Sequence, residues 1–104
     1  MAKELPVTKL VRTLIEHNRE NLKMGVSWFK DTRKNDTRYK MRWMDPEPTD
    51  EEIKFVDDGL KAAGLNARAE RVLPNRYSGL STMAVYVSAD HANLTELELA
   101  SLSK

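Results

Sequence analysis

The stretch WFKDTRKNDTRYKMRWM, residues 28–44, places six Lys or Arg residues and four aromatics in seventeen positions. Closely spaced cations contact phosphates and aromatic rings stack on bases, so these residue types together point to nucleic acid. Within it, TRYKMRWM (37–44) alternates between apolar and basic residues. A period of two puts Tyr39, Met41 and Trp43 on one side of a strand and Arg38, Lys40 and Arg42 on the other. Positions on one side repeat every ~6.6–6.8 Å, close to the phosphate separation along a nucleic-acid strand. Lys30, Arg33 and Lys34 extend the row at the tip of a β-hairpin, with the turn at Asn35-Asp36. On the same expected face, Arg68 adds a charge and Tyr86 a stacking surface, with Phe29 the one other candidate ring.

The same residues have a purely structural use. Lys and Arg on an outward edge strand block edge-to-edge pairing. A domain this small needs its large residues inside, which assigns Trp28, Phe29, Tyr39 and Trp43 to the core. Asp31 and Asp36 cut the net charge of residues 30–43 to +4. The sequence pI near 8.0 also lies below the value of about 9 typical of nucleic-acid-binding domains.

Catalysis finds little support. There is no cysteine, and the two histidines, His17 and His91, stand in no H-x-x-x-H or H-E-x-x-H pattern. The four glycines form no phosphate-binding loop. Glu16 and His17 are adjacent, and neighbours on a helix point about 100° apart rather than at each other. Glu51-Glu52 and Asp57-Asp58 are adjacent in the same way. The sequence therefore predicts no enzyme, no cofactor and no metal site.

The net charge of +1 conceals an asymmetry: residues 1–44 carry +6 and residues 45–104 carry −5. Opposed charge suits a polar partner or a second copy docked head to tail. The acidic DPEPTDEE (45–52) suits a basic protein, including one that ordinarily holds nucleic acid.

The elements that must position these residues follow from their periodicity. A length of 104 residues, 40% apolar and 32% charged, predicts one folded domain over 1–104. The spacing of Leu10, Val11, Leu14, Ile15 and Leu22 predicts a helix over 7–24, opened by Pro6 and closed by Gly25. Strands follow at 26–30 and 37–44. Thr49 and Glu52 have the spacing of a capping box, opening a helix with Ile53, Val56, Leu60 and Ala63 on one face and Gly64 at its end. Residues 66–73 and 80–88 read as two more strands, the second with Met83, Val85 and Val87 on one face. Asn93 and Glu96 mark the start of a short helix within 90–104, with a frayed tail. The order αββαββ(α) predicts an α+β fold: a two-layer arrangement with a four-stranded, mostly antiparallel sheet and both long helices on one face.

No apolar run approaches the length of a membrane span, the longest being MAVYV (83–87), and the N-terminus lacks an apolar signal core. Both features predict a cytoplasmic protein without a membrane partner. The expected function is a non-enzymatic binding module that contacts RNA or DNA phosphates through the basic hairpin 26–44 with little sequence discrimination. Lys30, Arg33, Lys34, Arg38, Lys40, Arg42, Arg68 and Tyr86 would make those contacts. The alternative is a small regulatory protein, inhibitor-like or a viral accessory factor, that meets a protein partner or its own copy through the opposed charged surfaces.

Overall fold

The computed structural model describes residues 5–17, 26–32, 36–44, 47–74 and 81–102, with the backbone alone at 26, 27 and 43. The chain runs α1 (Pro6–His17), β1 (Val26–Thr32), β2 (Asp36–Met44), α2 (Asp50–Ala62), β3 (Ala67–Val72), β4 (Thr82–Ser88), α3 (Ala89–Ala92) and α4 (Glu96–Leu102). Its four strands form one sheet in the order β1-β2-β4-β3, every neighbouring pair antiparallel. The class is α+β. Each αββ half contributes a neighbouring strand pair, and the second strands of the halves meet at the centre.

The period-two pattern of β2 and β4 supplies the sheet's contribution to the core. Thr37, Tyr39 and Met41 of β2 and Met83, Val85 and Val87 of β4 are buried. Val7, Val11 and Ile15 of α1 and Val56 and Leu60 of α2 join the same apolar cluster. These positions fall three or four residues apart, the spacing of one helix face. The Tyr39 hydroxyl is buried there and shares a hydrogen bond of 2.9 Å with Thr8 Oγ1, which satisfies a phenol that would otherwise be costly to desolvate.

The strict alternation of β2 ends at Arg42. Ser27 pairs with Trp43 and Trp28 with Met41, so Arg42 is the extra residue of a β-bulge. The slip changes the phase, and Met44, three positions after the buried Met41, is buried as well. The expected inward orientation of Trp43 concerns a side chain outside the described residues.

Helix boundaries follow cap chemistry. Thr49 caps α2, accepting from the Glu52 backbone N–H at 3.1 Å. At the other end Gly64 adopts φ 83°, its N–H donates to Lys61 O, and the Leu65 N–H reaches back to Leu60 O. This is a Schellman arrangement, closed by the apolar pair Leu60 and Leu65. The last helix starts later than Asn93–Glu96 suggested. Thr95 and Glu98 form a reciprocal capping box, with Glu98 N–H donating to Thr95 Oγ1 at 3.2 Å and Thr95 N–H to Glu98 Oε1 at 3.1 Å. The sequence offers two pairs with suitable spacing, and the one closed in both directions wins. The far end predicted for the first helix, residues 18–25, lies outside the described residues.

β3 is an edge strand, and α2 covers part of that edge. Asp57 accepts the Ala69 backbone N–H at 3.0 Å while pairing with Lys61. The Lys61 ammonium and then the Ala69 N–H hold the Asp57 carboxyl below its ordinary value. Arg71 ties the same region together, donating to Asp50 at 2.7 Å and to Ser81 at 3.0 Å.

Two stability predictions follow from these contacts. A Cβ at Gly64 would run into the carbonyl of Leu102 at the end of α4. Gly64→Ala should cost at least ~1–2 kcal/mol in chemical denaturation, the penalty for a left-handed residue with a side chain; unchanged stability would mean that position 64 does not hold the left-handed conformation. Asp57→Ala should cost about 1 kcal/mol at neutral pH. Because the folded-state pKa is lowered, the contribution of Asp57 is present above its unfolded pKa and is lost as pH falls through the folded one. The wild-type and variant denaturation midpoints should therefore converge in acid.

Candidate functional site

The side of β2 opposite the core carries Arg38, Lys40 and Arg42, interleaved with the buried Thr37, Tyr39 and Met41. Register sets their neighbours. Arg38 stands between Asp31 of β1 and Tyr86 of β4, and Tyr86 stands opposite Arg68 of β3. One row across the whole sheet is thus Asp31, Arg38, Tyr86, Arg68. The next row is Phe29, Lys40, Ala84, Glu70. Ala84 is buried between its long charged neighbours, as the aliphatic stems of Lys and Glu allow.

The cations on this face lie over rings. The Arg68 guanidinium carbon is 4.5 Å from the Tyr86 ring centroid, with Arg38 at 6.0 Å from the same ring. Arg42 lies 4.6 Å from the Phe29 centroid. Cation–π attraction and ion pairing hold the guanidiniums in place together. Arg38 pairs with Asp31 at 3.3 Å and Arg68 with Glu70 at 2.7 Å. The Asp31 hydrogen bond, then the one to Tyr86, raises the Arg38 pKa above its ordinary value, and Glu70 does the same for Arg68. Lys40 is exposed and, among the described residues, has no ion-pair partner.

Of the residues selected from sequence, Arg38, Lys40, Arg42, Arg68 and Tyr86 therefore share one face. Lys30 does not join them. It precedes Asp31 on β1 and pairs with the buried Tyr39, its ammonium lying 3.5 Å from Thr8 Oγ1 and 6.0 Å from the Tyr39 ring. The alternation of β1 puts Lys30 on the α1 side of the sheet, where its stem covers core residues. Arg33 and Lys34 lie outside the described residues. Phe29, which the sequence leaves between the core and the stacking face, is half-buried beside Arg42 on the open face. Its pairing opposite Lys40 was the signal that a hairpin register would have supplied.

The two histidines are engaged locally. His17 stacks on Phe55 with centroids 4.5 Å apart, joining the last turn of α1 to α2. His91 Nδ1 accepts the Asn66 backbone N–H at 2.8 Å. Among the described residues no group of three or more His, Asp or Glu side chains could hold a metal ion, and no helix is long and apolar enough to cross a membrane.

The fold and this face define a small α+β protein with an open antiparallel sheet surface on which two aromatics are overlaid by arginines. No family model, curated protein or solved structure matches the chain.

If the Arg68 guanidinium gains energy from the ring, Arg68→Ala and Tyr86→Ala should be non-additive. A double-mutant cycle by urea denaturation should give a coupling of about 0.5–1 kcal/mol, as for exposed cation–π pairs. Strict additivity would reduce the stacking to proximity.

Proposed function

We propose that the protein binds single-stranded nucleic acid along the open face of its sheet. The observation that carries this reading is the ring of Tyr86 flanked by Arg38 and Arg68, with Phe29 beside Arg42 on the same face. Half-buried aromatics stack on unpaired bases, whereas bases in a duplex already stack on one another. Lys40 and the three arginines supply phosphate contacts between and beside the rings. Arg38 and Lys40 along β2 follow the strand repeat of ~6.6–6.8 Å, which suits successive phosphates. Contacts of this kind give affinity with little sequence discrimination.

The intramolecular pairing of Arg38 and Arg68 tempers the attraction without removing it. Both pairs are partly exposed, and exposed ion pairs contribute little, so a phosphate can displace a carboxylate at small cost.

Fluorescence anisotropy with labelled single-stranded and duplex oligonucleotides at about 50 and 200 mM salt tests the proposal. Single strands should bind more tightly than duplex, with steep weakening at the higher salt. Replacing Arg38, Lys40 and Arg42 together with Gln should leave the fold nearly unchanged and flatten the salt slope by about 0.7 per lost phosphate contact. Unaltered affinity in that variant would sink the assignment. No binding at low salt would turn attention to protein partners.

A further inference from the structure

At one end of the open face, where β2, β4 and β3 approach the end of α2, lies a groove of about 460 Å³. This is within the ~300–1,000 Å³ of small-molecule sites. Tyr86 and Arg68 form part of its lining, together with Asp36, Asn66, Ser88 and Lys61. Asp36 and Ser88 are direct cross-strand partners, one step along the strands from the Arg38–Tyr86 pair. All four side chains share a face, because residues two apart on a strand point the same way.

Two polar groups in this groove make no side-chain hydrogen bond among the described residues. The Ser88 hydroxyl oxygen is buried and has no hydrogen-bond partner among the described residues. Such an orphan is uncommon, and here it belongs to the N-cap residue of α3. The Asp36 carboxylate makes no ion pair or side-chain hydrogen bond among the described residues, although its charge is one of those that raise the Arg68 pKa. A carboxylate beside a phosphate-binding face repels the backbone it serves. Besides supporting Arg68, it favours a ligand that presents hydrogen-bond donors and rejects one that presents acceptors, which is selection by repulsion as well as attraction.

An ionised carboxylate only accepts. Guanine is the one standard base whose Watson–Crick edge presents two adjacent donors, N1–H and the N2 amine. Adenine and cytosine each set an acceptor beside their single amine, and uracil flanks its one N–H with two carbonyls. Resting on the reading of the open face as a single-strand platform, we infer that this groove is a guanine pocket. The base stacks on the Tyr86–Arg68 pair, and Asp36 accepts from N1–H and N2–H. The neighbouring face then supplies general affinity and the groove supplies register.

The test uses labelled uridine-only RNA and the same strand with one central guanosine, adenosine or cytidine, measured by anisotropy against the full chain. Wild type should bind the guanosine strand about tenfold more tightly than the other three, within the range of one bidentate base contact. Asp36→Asn, nearly isosteric, should erase that preference while binding the uridine strand at least as well, since a repulsive charge is gone. Equal wild-type affinity for all four strands would overturn the pocket and leave the open-face proposal standing. A guanosine preference that survives in Asp36→Asn would overturn the role of Asp36. Failure to bind any strand would overturn both.

Discussion

The burial of Tyr39, with its hydroxyl bonded to Thr8 of α1, sets the orientation of everything else. β2 is central, and a strand can bury only alternate residues. Once Tyr39 faces inward, Thr37 and Met41 must follow, and Arg38 and Lys40 must face out. A shift of one residue would drive two cations into the apolar cluster and leave the phenol in water, so the register has no competitive alternative. The hydrogen bond adds direction to this preference. A buried hydroxyl finds its partner in one placement of α1 over the sheet, so a local contact orients the helix layer.

Opposite the core, charge is organised rather than merely abundant. Arginines are laid on aromatic rings, and Arg38 and Arg68 are held by carboxylates of the next strand and of the same strand respectively, which restricts side chains that would otherwise sample many rotamers. Such restriction lowers the ordering cost of binding a strand. Lys40, a compact charge on a flexible stem, stands apart from these stacks. The β-bulge contributes to the same surface by letting Arg42 reach Phe29 while Met44 returns to the core.

The sheet's periphery is managed with equal economy. Asp57 occupies a backbone donor of β3, so α2 serves as both a core element and an edge cover. Gly64 closes α2 tightly enough for the end of α4 to rest against it. The same close approach recurs between the long helices, where a side chain at Gly59 would meet Leu14.

Much of the chain was legible from local chemistry. The alternation of residues 37–44 and 82–88, the Thr49 cap and the Gly64 stop each express a rule that acts within a few residues, and β2, β4 and α2 appear where those rules place them. The five residues Arg38, Lys40, Arg42, Arg68 and Tyr86 share a face because period-two patterning survives into the sheet. What the sequence left open depended on partners distant along the chain. Strand order β1-β2-β4-β3 decided that Tyr86 lies between two arginines rather than beside one. The β1 register sent Lys30 to the helix side and brought Phe29 out, because a hairpin's pairing depends on its turn and bulge as well as on composition. Between Asn93 and Thr95, two similar cap signals competed, and the hydrogen bonds closed around Thr95 and Glu98. The groove that unites Asp36 with Ser88 joins residues some fifty positions apart. Sequence patterning determined which side chains stand on a common surface, whereas long-range pairing decided which of them meet, since only the folded sheet sets the distance between strands.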